Sequence, residues 1–292
     1  MFHYIILASL VLTAWTAAAS ELPEPRSWSA LTDRRISERG QKAMDLIPEA
    51  ERLHAETEHF VYHYSDADEA ATVMTHAEVY YEWIRKSLGL ETPPGARKIH
   101  VWVYTDQMVW DKLLALHGPP HSPGAFTDGD ELFILRDPYW MSPMKTLAHE
   151  VAHVVLYRMI GPRVPLCLNE GFAEMISWRA LAMQQGRSEF DLRVVRLVQP
   201  DRYIPLSELT GLQAYPEGER VKDFYTESEL LVRYLLLERK TQGFQALLRR
   251  TAAGEPVLKV ISDLLGEDEE VFRENFRRYA TTGKTSATEA DR

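Results

Sequence analysis

The chain has 292 residues, 45% of them hydrophobic, and a formal net charge of −10. This length suits one large domain or two lobes that share a cleft, with enough apolar residues for a core. The acidic charge argues against nucleic acid or an anionic membrane surface as the main partner. The chain contains one cysteine, Cys167, which excludes an intramolecular disulfide.

The N-terminal segment has the pattern of a secretory signal peptide. Residues 1–20 contain no Asp, Glu, Lys or Arg, and a short apolar run is followed by Ala17, Ala18 and Ala19. The run is short for a membrane span of about 20 residues. We therefore expect a signal peptide over residues 1–19, cleaved near Ala19. Export to the periplasm or the exterior would follow, with no stable membrane span after cleavage. An uncleaved N-terminal anchor is the alternative.

The first half of the chain alternates between strand-like and helix-like segments. The predicted elements are a loosely helical stretch over 33–54, a strand at 60–64, a helix over 68–88, a strand at 98–104, a helix over 106–117 and a hairpin around Asp128-Gly129. The second strand of the hairpin, residues 131–135, is expected to offer an edge to which an extended peptide can add.

The second half of the chain is predicted to be helical. One helix runs from Pro143 or Met144 to Ile160, and further helices are expected over 168–184, 223–239, 242–253, 255–265 and 267–280. The pattern predicts an α+β fold in which an α/β lobe with a small sheet, 28–160, ends in the helix that carries the candidate metal ligands. An α-helical lobe, 161–280, supplies the third ligand, so that the metal site lies between the lobes. Residues 281–292 are expected to form a disordered tail.

The clearest motif is an H-E-x-x-H pattern formed by His149, Glu150 and His153. Histidines four residues apart lie about 40° apart around a helix axis, so both imidazoles can reach one metal ion. From Leu147 to Leu156, all side chains except those three are Leu, Ala or Val. Ionisable groups in such an apolar helix are costly unless they bind a metal or a partner. The alternative is an accidental match, with each histidine hydrogen-bonded in a core.

The third ligand has to come from another element. No histidine follows His153, and Leu156 and Met159 occupy the glycine and histidine positions of an H-E-x-x-H-x-x-G-x-x-H site, which excludes that class. The next helix offers Glu170 and Glu174, four residues apart and therefore on one face. One carboxylate can bind the metal, and the other can accept an imidazole N–H. A solvated pair of glutamates is the alternative.

The segment from Leu168 to Glu174 reads L-N-E-G-F-A-E. It resembles the N-E-G-x-A-E segment of gluzincins, the metallopeptidases with an H-E-x-x-H pattern plus a glutamate, and most of all the peptidase MA-like families. The specific match covers about residues 145–180. The resemblance implies a zincin-like fold, one Zn²⁺ ion, Glu170 as the third ligand and Glu174 as the residue that orients a ligand imidazole.

The same resemblance implies a tyrosine, on a later helix, that stabilises the developing oxyanion. Tyr225 is our candidate, with Tyr215 and Tyr203 as competitors; Tyr225 as a simple packing residue is the alternative. The aminopeptidase branch carries a G-x-M-E-N segment before the metal helix. This chain has Gly124 to Asp128 in a similar place, without the Met or the Glu-Asn pair, which argues against an aminopeptidase.

These observations predict a zinc-dependent metallopeptidase that hydrolyses a peptide or protein substrate. One Zn²⁺ ion activates a water, and Glu150 passes the proton of that water to the leaving amine. Two alternatives stay open, namely a metal-binding module that cleaves nothing and a zinc amidase that acts on a non-peptide amide. The remaining histidines show no second metal spacing and are expected to be structural or exposed: His54, His59, His63, His76, His100, His117 and His121.

Overall fold

The computed structural model of the chain describes residues 22–93, 95–117, 124–136, 143–186, 196–239 and 243–285. The predicted signal peptide and residues 286–292 of the predicted tail lie outside this part of the chain. The chain divides into two compact units, Met1–Met159 and Ile160–Arg292. Within the described residues, no helix is both long and apolar enough to cross a bilayer.

The first unit is built on a five-stranded mixed sheet. Its strands are β1 (Leu53–Glu56), β2 (Phe60–Tyr64), β3 (Ile99–Tyr104), β4 (Ala125–Asp128) and β5 (Glu131–Leu135), in the order β1-β2-β3-β5-β4. The three central strands run parallel, and β1 and β4 pair antiparallel at the two margins. Since β5 is an interior strand, the expectation of edge addition at residues 131–135 is wrong. The strand at that margin is β4.

Four helices belong to the first unit: α1 (Glu38–Asp45), α2 (Ala67–Ser87), α3 (Gln107–His117) and α4 (Pro143–Met159). Two aspartates satisfy backbone N–H groups that have no partner within the first turn of a helix. Asp66 accepts hydrogen bonds from the backbone of Asp68 and Glu69 at the start of α2, over 3.0 and 3.1 Å. Asp106 does the same at the start of α3. Both caps agree with the predicted helix starts.

Helix α1 lies close against the sheet. The Tyr104 hydroxyl donates a hydrogen bond to the Ala43 carbonyl over 2.9 Å, and a Cβ atom at Gly40 would meet the Trp102 ring at 2.8 Å. The glycine therefore permits the close approach of α1. Helices α1 and α3 and the sheet share an apolar core that contains Ala43, Ile47, Trp102, Tyr104, Trp110, Leu113, Phe126, Phe133 and Leu135.

Helix α4 is fixed by three neighbours within the first unit. It packs along α2 and contacts β4 and β5. Near its C-terminal end, Tyr157 lies 3.3 Å from the position of a Cβ atom on Gly129. Gly129 occupies the β4–β5 turn with a φ of 65°, a conformation that favours glycine. The sheet and the hairpin turn therefore set the orientation of the helix that carries His149 and His153.

The described elements of the second unit are helices: α5 (Leu166–Gln184), α6 (Leu206–Leu209), α7 (Arg220–Arg233), α8 (Phe244–Ala252), α9 (Val257–Leu265) and α10 (Glu269–Thr282). Helix α7 continues directly into a π-helical turn, Tyr234–Glu238. Helix α5 packs along α7, which also contacts α10. The pair of α5 and α7 is therefore the frame on which Glu170 and Tyr225 are carried.

These elements confirm the coarser fold prediction, an α+β chain with a small sheet in its N-terminal half and helices in its C-terminal half. The prediction of a loosely helical stretch over 33–54 is wrong at its end, where β1 begins. Pairing with β2, which sets His54 opposite His63, makes this short charged segment a strand. Helix α5 begins before the predicted residue 168, and α10 continues past residue 280.

Candidate metal centre

The two histidines of the H-E-x-x-H pattern lie on one face of α4. Their Nε2 atoms are 3.0 Å apart, and their ring planes are inclined at 80° with centroids 4.6 Å apart. The neighbouring Val151, Ala152 and Val154 are fully buried. Because these apolar neighbours hold α4 in the core of the first unit, His149 and His153 present converging nitrogen atoms from a fixed backbone.

The spacing of these nitrogens suits a metal ion. Zinc–imidazole bonds of about 2.0–2.1 Å at a tetrahedral angle place two ligand nitrogens about 3.3 Å apart. The observed separation of 3.0 Å between the Nε2 atoms of His149 and His153 is close to that value.

Glu170 lies near the start of α5 and is 2% exposed. The Tyr215 hydroxyl donates a hydrogen bond to Oε1 of this carboxylate over 2.5 Å. A hydroxyl bound to a carboxylate at that distance makes a charge-assisted hydrogen bond, which is stronger than one between neutral groups. The other oxygen, Oε2, is buried as well.

Within the part of the chain that the structure describes, one group of histidine and acidic side chains has the geometry of a metal site. One ligand atom from each of His149, His153 and Glu170 lies within 4.8 Å of the other two. Two imidazole nitrogens and one carboxylate oxygen form a donor set that several divalent transition metals accept. The group could therefore hold a metal ion.

The other predicted site residues lie on the same helices as the candidate ligands or on α7. Glu150 is 5% exposed on α4, and Glu174 is half-buried one turn beyond Glu170 on α5. Tyr225 is half-buried in α7, with its ring stacked on that of Tyr215 at a centroid distance of 6.0 Å. The roles of Glu150, Glu174 and Tyr225 in proton transfer, imidazole orientation and oxyanion stabilisation remain predictions.

Sequence reasoning treated Tyr215 as a rival of Tyr225 and did not anticipate its hydrogen bond to Glu170. Burial raises the pKa of the Tyr215 hydroxyl, and the charge of Glu170 and hydrogen bonds to Glu170 and Tyr225 raise it further. Tyr215 therefore stays protonated and acts as a donor. No periodic signal points to this residue, because it lies in the irregular segment before α7. The third candidate, Tyr203, packs against Phe276 at a centroid distance of 6.4 Å.

Helices α5 and α7 touch at the residue that follows Glu170. A Cβ atom added at Gly171 would overlap the backbone carbonyl of Ser228 and would lie 2.9 Å from Cγ2 of Val232. The absence of a side chain at Gly171 therefore lets the two helix backbones meet. This contact gives a physical reason for the glycine in the N-E-G segment, since it lets α7 approach α5 at Ser228, next to the position of Glu170 in the chain.

A second cluster of histidines lies in the sheet of the first unit. His54 Nδ1 is 2.8 Å from His63 Nδ1, and His63 Nε2 is 2.9 Å from His100 Nδ1. Trp28 packs against the rings of His54 and His63. Burial lowers the pKa of all three imidazoles, in the case of His100 to about 4. The contacts form a chain of neutral rings across β1, β2 and β3.

Comparison with known proteins adds no family to this description. No family model matches the chain, and no curated protein matches it at a significant level. The resemblance to gluzincins therefore rests on the two motifs of the sequence and enters the functional interpretation as a proposal.

Proposed function

We propose that the chain is a zinc-dependent metallopeptidase of the gluzincin type, with a zincin-like arrangement around one Zn²⁺ ion. The observation that carries this proposal is the convergence of ligand atoms from His149, His153 and Glu170. A buried glutamate, Glu150, accompanies these ligands directly after the first histidine. The H-E-x-x-H pattern and the N-E-G-x-A-E resemblance support the same assignment from the sequence.

Zinc is the metal that we propose for this donor set. Catalytic zinc sites commonly have three protein ligands of the histidine and carboxylate type and keep a further position open for water or substrate. When bound, the ion lowers the pKa of a coordinated water towards about 7 and polarises a carbonyl oxygen. The chain supplies the groups that bind the ion, and it supplies the groups that move the proton.

Each of the remaining residues has a role in this proposal. Glu150 takes a proton from the attacking water and delivers it to the leaving amine, as a general base and then a general acid. Glu174 accepts the N–H of a ligand imidazole and fixes the orientation of that ring. Tyr225 donates a hydrogen bond to the oxyanion that develops on the substrate.

An extended peptide is the substrate that we propose for the site. Strand β4 forms one margin of the sheet, and helix α4 contacts it. A peptide that added to β4 by main-chain hydrogen bonds would lie beside the helix that carries His149 and His153. We also propose that the protein is exported to the periplasm or the exterior through an N-terminal signal peptide.

The proposal is tested by two measurements on the purified protein. Metal analysis is expected to give one equivalent of zinc, and incubation with a broad peptide library is expected to give cleavage products by mass spectrometry. Zinc without cleavage of any peptide would favour a metal-binding module. Cleavage of non-peptide amides with no peptide products would favour an amidase, since the same water activation serves any amide.

A further inference from the structure

Tyr215 contacts the third candidate ligand through one specific oxygen. Its hydroxyl donates a hydrogen bond to Oε1 of Glu170 over 2.5 Å, whereas Oε2, which that bond does not engage, is buried. A hydrogen bond to one oxygen restrains the rotation of a carboxylate and so limits the directions in which its second oxygen can point. Partners of this kind orient metal ligands and tune the affinity for the metal.

Three neighbours hold Tyr215 in place. Pro216 follows it, and a residue before proline is confined largely to extended backbone. Its ring packs edge-to-face against Phe224, with centroids 5.9 Å apart and planes at 89°. It also stacks on the ring of Tyr225, with centroids 6.0 Å apart and planes at 26°. Aromatic pairs in both arrangements are favourable beyond the area that they bury. The hydroxyl is therefore delivered to Glu170 from a constrained ring.

The two rings that pack against Tyr215 lie in α7, and α7 contacts the helix that carries Glu170. Phe224 and Tyr225 lie in α7, and α7 meets α5 where Gly171 lies against the carbonyl of Ser228. Ser228 is one helical turn beyond Phe224. Glu170 and the two aromatic rings that hold Tyr215 thus belong to two helices whose backbones touch.

We propose that Tyr215 is a positioning residue that orients the Glu170 carboxylate through Oε1 and thereby presents Oε2 to the metal ion. This inference rests on the proposed function, because it takes Glu170 as a metal ligand. It differs from an oxyanion role, since Tyr215 acts through a ligand and not on the substrate. Loss of such a partner typically weakens metal binding by about 10–100-fold.

The test is Tyr215→Phe in the full chain, which removes the hydroxyl and keeps the ring. Zinc affinity is measured by competition with a chromophoric chelator, and the visible spectrum of the Co²⁺-substituted protein reports the ligand geometry. We expect zinc binding to weaken about 10-fold or more and the Co²⁺ bands to shift. Tyr234→Phe is the matched control, because the Tyr234 hydroxyl lies 3.4 Å from Nη1 of Arg239 and makes its contact there. It should leave both measurements unchanged.

A double-mutant cycle separates the proposed route from a general loss of packing. If Tyr215 acts through Glu170, Tyr215→Phe should have little effect on the residual metal affinity of a Glu170→Ala variant. Tyr225→Phe removes a hydroxyl that is hydrogen-bonded to Tyr215 and should weaken zinc binding by a smaller factor. This variant also provides the test if Tyr215→Phe fails to fold.

Two results would overturn the inference. One is zinc affinity and a Co²⁺ spectrum in Tyr215→Phe that match the unmodified protein. The other is loss of turnover with unchanged metal binding, which would assign the hydroxyl to the substrate. A protein that binds zinc but cleaves no peptide would remove the proposed function without affecting these metal measurements. A protein that binds no zinc at all would overturn both proposals.

Discussion

Gly171 of α5 lies directly against the backbone carbonyl of Ser228 in α7, and no side chain can be added there without displacing a helix. Glycine costs a helix about 1 kcal/mol relative to alanine, so this position carries a penalty in propensity. The gain is the close approach of α7 to the turn that contains Glu170. Packing between α5 and α7 is thereby coupled to the geometry of the candidate ligand.

Gly171→Ala should therefore destabilise the protein even though alanine is the better helix former. Overpacking at a rigid contact costs about 1–3 kcal/mol, and a clash with backbone falls at or above the upper end of that range. We expect a lower free energy of unfolding by urea denaturation and weaker zinc binding, because α7 carries the support for Tyr215. Gly211→Ala is the control, since a Cβ atom there would lie 3.2 Å from the Ser207 carbonyl oxygen, a tight contact that a small shift relieves, and would not overlap backbone. Equal stability of the two variants would contradict the prediction.

Glu150→Gln should separate metal binding from hydrolysis. The change keeps the size of the side chain and removes the carboxylate that carries the proton in the proposed mechanism. We expect kcat/KM for a library-derived peptide to fall by about 10²–10⁴-fold, with one equivalent of zinc retained. The exposed Glu217→Gln is the matched control and should keep full activity. Full activity in Glu150→Gln would rule out its role as general base.

His153→Ala tests the ligand assignment independently of catalysis. Removal of one imidazole leaves two donors of the group, and a catalytic zinc site normally needs three protein ligands. We expect the purified variant to lose its equivalent of zinc by elemental analysis while the far-ultraviolet circular dichroism stays close to that of the parent. His76→Ala is the control, because His76 lies on α2 and bonds the Thr72 carbonyl over 2.8 Å. Retention of zinc in His153→Ala would refute the proposed ligand set.

The sequence predicted those parts of the fold in which a local pattern agrees with the tertiary structure. The alternation of residues 98–104 corresponds to β3, and the Asp128-Gly129 turn corresponds to the β4–β5 hairpin. The strand β1 was missed because its four residues follow charged side chains and depend on pairing with β2. The interior position of β5 was also missed, since strand order is set by long-range pairing.

The candidate site also contains residues that the sequence predicts and residues that it does not. The pairing of His149 with His153 could be predicted from the sequence, because residues four apart share a helix face. The choice of Glu170 over Glu174 came from the resemblance to the N-E-G-x-A-E segment. Tyr215 could not be assigned, since it lies 45 residues from Glu170 in an irregular segment, and a single hydrogen bond joins them. The histidine chain was equally hidden. Only the β1–β2 register places His54 beside His63.

This histidine chain should make the protein sensitive to acid. Burial lowers the pKa of His100 from 6.5 to about 4, so between these values the unfolded chain binds a proton that the folded chain does not. The contribution of neutral His100 to the free energy of unfolding is fully present above about pH 6.5. It is lost as the pH falls towards 4, at about 1.4 kcal/mol per pH unit. His100→Gln cannot titrate. The free energy of unfolding by urea, measured between pH 4 and pH 7.5, should therefore depend less steeply on pH in His100→Gln than in the parent. Below about pH 6.5 the difference in slope should be about 1.4 kcal/mol per pH unit. An unchanged slope would contradict the lowered pKa.

Glu227 should produce a pH dependence of the opposite sign. It is fully buried in α7, where Oε1 accepts the backbone N–H of Ile204 over 2.7 Å. Burial raises its pKa from 4.5 to about 8, so the folded chain keeps a proton that the unfolded chain has lost within that range. Its contribution to stability is present below about pH 4.5 and is lost as the pH rises towards about 8.

Glu227→Gln should remove this loss, because the amide oxygen can still accept from Ile204 and the side chain cannot ionise. The free energy of unfolding of the variant, relative to the parent, should rise by about 1.4 kcal/mol per pH unit between pH 5 and pH 8. His100→Gln serves as the control, since its own effect ends near pH 6.5 and the two curves separate above that value. A constant difference between Glu227→Gln and the parent from pH 5 to pH 8 would show that this carboxyl ionises normally.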